Sequence, residues 1–176
     1  DFANYGTFYA ERGEVAAAAT AFDVASYRVV DLDTTSFQTG IAFNNEGTKY
    51  YKLNYILDWV EEYSLSVPYD ISTRSSLQAT SSSLLAQDNF IYDIRFNSDG
   101  TKLFGAGSVS NTVIEYSLST AFDVSSISFT HATSVASQES SGFFGLDFNT
   151  DGTKMFVLGD NLNEYSLSTA FDVSSA

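Results

Sequence analysis

One short phrase recurs four times along the chain, so the fold must be assembled from repeated units. The phrase reads DFANYGT at 1–7, IAFNNEGT at 41–48, IRFNSDGT at 94–101 and LDFNTDGT at 146–153. A second phrase, acidic and aromatic, follows each: AFDV at 21–24, PYDI at 68–71, AFDV at 121–124 and AFDV at 170–173. The turn glycines Gly6, Gly47, Gly100 and Gly152 keep a period of roughly 40–50 residues, the spacing of supersecondary units that stack or are arrayed around an axis. The repeats fall at about 1–40, 41–90, 91–142 and 143–176.

One copy is enough to read the local structure. Ile94 and Phe96 alternate with polar residues before Asn97-Ser98-Asp99-Gly100, Leu103 and Phe104 follow, and Val113, Ile114, Tyr116 and Leu118 form a further β-prone run after Ser108 to Asn111. The pattern predicts strand, turn, strand, turn, strand, with a fourth strand from Ile127 to Thr133. Asp99 can accept local backbone hydrogen bonds while Gly100 takes the positive φ of a tight hairpin. Val15 to Thr20 is Ala-rich, yet aligned with the other copies it occupies the third strand. Pro68, the single proline, sits in a turn, where its missing N–H does least harm.

Four antiparallel strands per ~50-residue unit is the arithmetic of a β-propeller blade, so the expected fold is all-β, a propeller of four-stranded antiparallel blades. The segment IRFNSDGTKLFGAGSVSNTVIEYSLST resembles the YVTN-type propeller repeat, which also runs through an Asp-Gly turn and an Asn-Thr-Val strand. It departs from that repeat in the Asn-Ser-Asp-Gly turn and in the added Ser-Thr-Ala-Phe-Asp-Val phrase. The resemblance implies the fold and not one activity, because propellers host binding, enzymatic and scaffold roles. The phrase YSLSTAFDVSS also resembles repeats of bacterial surface and phage virion-appendage proteins.

With strands named A to D from the axis outward, the first copy opens inside strand A and the fourth stops before strand D. The expectation is therefore about four blades, the last without its outer strand, in what could be part of a larger propeller, since an open sheet edge invites pairing.

Composition excludes some partners. Lys and Arg number 8 against 22 Asp and Glu, a formal net charge of −14, and such a surface repels phosphate backbones and anionic membrane. No nucleic acid and no membrane insertion are expected. With no cysteine there is no disulfide and no thiolate metal site, and no cofactor is expected. No apolar run approaches the ~20 residues of a membrane span.

The candidate chemistry is sparse. The Asn-x-Asp/Glu-Gly-Thr turns lack the alternating acids and closing Glu of a calcium loop, so turn chemistry explains them. Asp23, Asp70, Asp123 and Asp172 are expected to bond neighbouring backbone N–H groups. His131 is the sole histidine, and no Gly-x-Ser-x-Gly elbow is present. Glu61 and Glu62, as neighbours in a strand, must point to opposite faces, while Asp31 and Asp33 share one. Arg12, Arg28, Arg74 and Arg95 occupy dissimilar repeat positions. The second repeat departs from its sisters by gathering Tyr50, Tyr51, Tyr55 and Trp59, which makes these aromatics the candidate binding residues for a glycan or a protein. The polar connections Ser81 to Asn89 and Ala136 to Gly142 are the loops expected at a ligand-binding rim.

These features point to a non-enzymatic propeller module for protein assembly or adhesion in a secreted, cell-surface or virion structural protein, partnered by another protein or further copies of itself. A propeller enzyme acting on polysaccharide, as lyase or hydrolase, is the alternative, as is an intracellular interaction scaffold. An axial cluster of polar residues would favour the enzyme.

Overall fold

The computed structural model describes residues 38–54, 56–84 and 87–176. Three antiparallel sheets follow one another along the chain. The first comprises β1 (Gln38–Phe43), β2 (Lys49–Asn54), β3 (Trp59–Leu65) and β4 (Arg74–Thr80). The second comprises β5 (Ile91–Phe96), β6 (Lys102–Gly107), β7 (Thr112–Leu118) and β8 (Ile127–Ser134). The third comprises β9 (Gly145–Phe148), β10 (Lys154–Leu158) and β11 (Leu162–Ser166), with β11 at its edge. Each is a meander in sequence order, and the register repeats: Ala42 opposes Tyr51, Arg95 opposes Phe104 and Asp147 opposes Phe156. The chain is a β-propeller whose described blades hold four, four and three strands. The strand expected at Val15 to Thr20, and the first copy as far as residue 37, lie outside the described residues.

Period-2 alternation gives every sheet two apolar faces, and these make the core. Tyr51, Leu53 and Val60 of the first blade pack against Ile91, Ile94, Leu103, Ile114 and Tyr116 of the second. Phe104, Ala106 and Val113 of the second pack against Leu146, Met155 and Val157 of the third. The innermost strands β1, β5 and β9 lie side by side.

The turn phrases behave as their chemistry predicts. Gly100 has φ +73°, and a Cβ there would lie 2.3 Å from the Phe122 ring. The inner hairpin thus presses on the Ala-Phe-Asp-Val turn of its own blade, whose Phe122 N–H donates to the Gly100 carbonyl at 2.9 Å. Asp99 accepts from the backbone and hydroxyl of Thr101, and Asp151 does the same for Thr153. Local donors therefore satisfy these carboxylates. Asp70, Asp123 and Asp172 cap short 3-10 turns by accepting from Ser72, Ser125 and Ser174 N–H. Asp23 lies outside the described residues.

The other end of the second and third described blades carries a device that the sequence reading missed. Asp88, in the connection into β5, accepts from the N–H groups of Phe90, Val109 and Ser110, and Glu139, in the connection into β9, accepts from Asn161 N–H. These buried carboxylates bind the outer-to-inner connections to the next β-turn. Tyr116 and Tyr165 donate to Gln87 and Gln138, one residue before each acid.

Candidate functional site

Side chains that face the axis come from the innermost strands, because only those strands border it. At one height the three described blades present Ala42, Arg95 and Asp147. Arg95 is clamped: its Nη1 donates to Asp93 Oδ1 at 2.6 Å and to the Ile94 carbonyl at 2.8 Å, and its Nε lies 3.7 Å from Asp147 Oδ1. Asp93 is buried and accepts two backbone N–H groups as well, its own strand's Ile94 at 2.9 Å and the next blade's Leu146 at 3.1 Å. Burial pushes the Asp93 carboxyl up, and the Arg95 charge with these hydrogen bonds opposes it only in part. Asp147 is largely exposed, its Oδ1 held by Phe148 N–H at 3.0 Å. A half-exposed guanidinium with one buried and one exposed carboxylate is the kind of polar convergence that acid–base or electrophilic chemistry uses. The exposed Phe144, just ahead of β9, packs edge-on against Tyr92 of β5 at 5.2 Å.

The four expected binding aromatics do not form one platform. Tyr50 and Tyr51 are both buried and on opposite faces. Tyr51 packs on Phe96 of the next blade and donates its hydroxyl to the Phe122 carbonyl at 2.8 Å. Tyr50 stacks on Tyr63 at 5.0 Å, and Trp59 is half-buried with its Nε1 donating to Glu61. Tyr55 lies outside the described residues.

Around Trp59 lies a buried polar network on one face of the first blade. Lys52 and Glu61 pair at 2.9 Å, and Glu61 also accepts from Asn54 and Tyr63. Burial works against the Glu61 charge, but the Lys52, Tyr63, Asn54 and Trp59 donors outweigh it and hold the carboxyl below the usual range. Glu62 takes the opposite face, as alternation requires. Arg74 sits over the Tyr63 ring on β4, far from the axial strands in sheet order, and His131 is exposed on β8. Arg12, Arg28, Asp31 and Asp33 lie outside the described residues. Among the described residues no group of three or more His, Cys, Asp or Glu could hold a metal ion. No helix among them is long and apolar enough to cross a membrane.

The axial row was partly visible in the sequence. Asp93 immediately precedes the repeated phrase and Arg95 is its second residue, and Asp147 occupies the place of Arg95 one repeat later. Only the ring places the two positions side by side.

No protein-family model matches the chain, and no curated protein does. Solved structures do. A candidate 6-phosphogluconolactonase of Bacteroides fragilis superposes with TM-score 0.59 at 13% identity, over 83% of this chain and 38% of its own. One from Bacteroides uniformis gives TM-score 0.60 at 12% identity, over 86% and 41%. The periplasmic gluconolactonase of Pseudomonas aeruginosa gives 0.58 at 16% identity, over 83% and 39%. The chain thus spans about two fifths of the length of these neighbours, and at such identities the likeness establishes the fold. The expectation of a non-enzymatic assembly or adhesion module, and with it the surface or virion structural role, is corrected here: the neighbouring propellers are named as lactonases. The polar cluster that the enzyme alternative required is present at Asp93, Arg95 and Asp147.

Proposed function

We propose that this propeller is a hydrolase that opens a sugar lactone or a related cyclic ester at its axis. The observation that carries the reading is Arg95, held between Asp93 and Asp147 on adjacent innermost strands. Lactone hydrolysis needs a donor for the oxyanion that develops when water adds to the acyl carbon, and a base that takes the water proton. Arg95 fits the first role, because the guanidinium keeps unused N–H groups in a half-exposed setting. Asp147, the exposed carboxylate, fits the second. Asp93 is a positioning residue that fixes the guanidinium. The step balances: water oxygen bonds to the acyl carbon, the ring C–O bond breaks, and the proton held by Asp147 passes to the departing alkoxide, leaving a hydroxy acid.

The lactonase names of the structural neighbours support this substrate class, and the periplasmic origin of one supports a compartment outside the cytosol. Kinship with the YVTN-type repeat belongs to the same proposal. The test is a pH-stat assay on glucono-δ-lactone and a γ-lactone. Arg95→Ala should lower the rate about 100-fold or more, by loss of an oxyanion donor; because it also leaves the buried Asp93 without its cation, the rates are compared at a temperature where circular dichroism shows the variant folded. Asp147→Asn should lower it by about 10²–10⁴. Hydrolysis no faster than the spontaneous rate, or equal rates in both variants and the parent, would remove the reading.

A further inference from the structure

Sugar lactones occur with and without a phosphate, and the charges around Arg95 separate the two. A phosphate dianion is held by cations, with Arg forks and Lys ammonium groups turned to its oxygens. Among the described residues Arg95 is the single Lys or Arg on an innermost strand. Its guanidinium already lies 2.6 Å from Asp93 and 3.7 Å from Asp147, so the three groups together carry a net negative charge. The N–H groups left over can serve one acyl oxygen as it turns negative. They cannot also offset a dianion that two carboxylates repel.

The other described cations are committed elsewhere. Lys49 and Lys102 latch blade to blade: each pairs with a glutamate on the next strand, Glu62 at 2.6 Å and Glu115 at 2.7 Å. The lysine donates to the Phe122 or Phe171 carbonyl of the following blade, and the glutamate accepts from Val124 or Val173 N–H of the same Ala-Phe-Asp-Val turn. Lys154 and Glu164 form the corresponding pair on the third blade, half exposed. Lys52 is buried against Glu61, and Arg74 begins the outer strand β4.

Aromatic rings border Arg95 and Asp147 instead. The pairing of β5 with β6 is irregular: Ile91 opposes Gly107 and Ile94 opposes Gly105, so three steps along β5 match two along β6. An odd spacing in a regular strand would put Tyr92 and Arg95 on opposite faces, and the bulge returns them to one. Phe144 holds the matching place ahead of Asp147, and the two rings meet edge to face at 5.2 Å. A step of two rings beside a few convergent polar groups suits a ring-shaped ligand with an apolar face.

We propose that the substrate is an uncharged lactone without a phosphate, whose C–H face rests on Phe144 and Tyr92 while its carbonyl meets Arg95. The inference rests on the lactonase reading and names the substrate class of that same site.

Initial rates of the 176-residue chain on glucono-δ-lactone and on its 6-phosphate test it. kcat/KM should favour the uncharged lactone about 100-fold or more, the scale of like-charge juxtaposition. Phe144→Ala should raise KM about three- to tenfold and leave kcat within about twofold, the signature of a lost ring contact. Phe144 is exposed, so the circular dichroism of the variant should match the parent and exclude misfolding. A preference below about tenfold on the scale of charge repulsion, or an unchanged KM in the variant, overturns this inference and leaves the lactonase reading standing. If neither lactone is opened, the lactonase reading falls, and saturation-transfer NMR with glucose and glucose 6-phosphate decides the inference by itself. A glucose signal that Phe144→Ala removes supports it. An equal or stronger signal from the phosphate, a glucose signal that the variant keeps, or no signal from either sugar overturns it.

Discussion

The first and second blades share one backbone plan, yet one face of each carries opposite chemistry. In the second blade Gly105 opposes Ile114, and Tyr116 reaches back to Gln87. In the first blade the same positions hold Lys52 against Glu61, and Tyr63 turns its hydroxyl to Glu61 at 2.8 Å. Both arrangements are buried, and the three inner strands of the two blades pair in the same register. A sheet therefore tolerates a charged face when every charge finds a partner, because the ladder is made by the backbone and the side chains have only to be satisfied.

The largest effect should come from breaking that satisfaction. Lys52→Ala leaves Glu61 buried without its cation and should cost about 3–5 kcal/mol in a denaturant titration. Replacing both, as Lys52→Met with Glu61→Leu, should be neutral or stabilising, which would make the first blade energetically like its sister. A double variant as unstable as the single would mean that the polar network is indispensable to the blade.

Asp58 sharpens the comparison at the turn between β2-to-β3 strands. It is buried with φ +44°, and burial, helped by the Asp88 charge and opposed by the Ile91 N–H, pushes its carboxyl up to about 6. The corresponding turn of the second blade has Asn111, also at positive φ. A carboxyl with a folded pKa above its unfolded value favours the folded state while protonated, so stability falls as pH rises from about 4 through about 6. Asp58→Asn should therefore raise stability by at most about 3 kcal/mol at pH 8 and change little at pH 4. Melting curves at the two pH values check the sign.

The latches give the next contrast. Glu115→Ala removes a buried carboxylate that serves a cation and a backbone N–H, and should cost about 1.5–3 kcal/mol. Glu164→Ala, in a half-exposed pair, should cost about 0.5 kcal/mol or less. Tyr51→Phe, which deletes the hydroxyl bonded to the Phe122 carbonyl and makes the position resemble Phe104, falls between the two at about 1 kcal/mol. Equal costs for Glu115 and Glu164 would erase the distinction between a closed and an open latch.

Much of the blade was legible in the sequence. The run from Ile91 to Leu118 parsed into the three strands now seen as β5, β6 and β7, since alternation and turn residues are local signals. The latch was also written there, as Gly-Thr-Lys and Glu-Tyr-Ser-Leu repeated in three copies, but a Lys and a Glu in successive strands read as surface charge until their shared partner is known. Tyr50, Tyr51 and Trp59 looked like a cluster because they are near in sequence, and strand alternation divides them between faces.

The sequence by itself determined the repeat, the meander of strands and the tight turns, because each depends on contacts within a few residues or across one hairpin. Tertiary structure alone decided which carboxylates are buried, which Lys–Glu pairs are closed, and that Asp93, Arg95 and Asp147 meet at the axis. Leu146 lies 53 residues from Asp93 along the chain and 3.1 Å from it in space. Such meetings depend on how blade packs against blade, and the local pattern of any one repeat does not contain that relation.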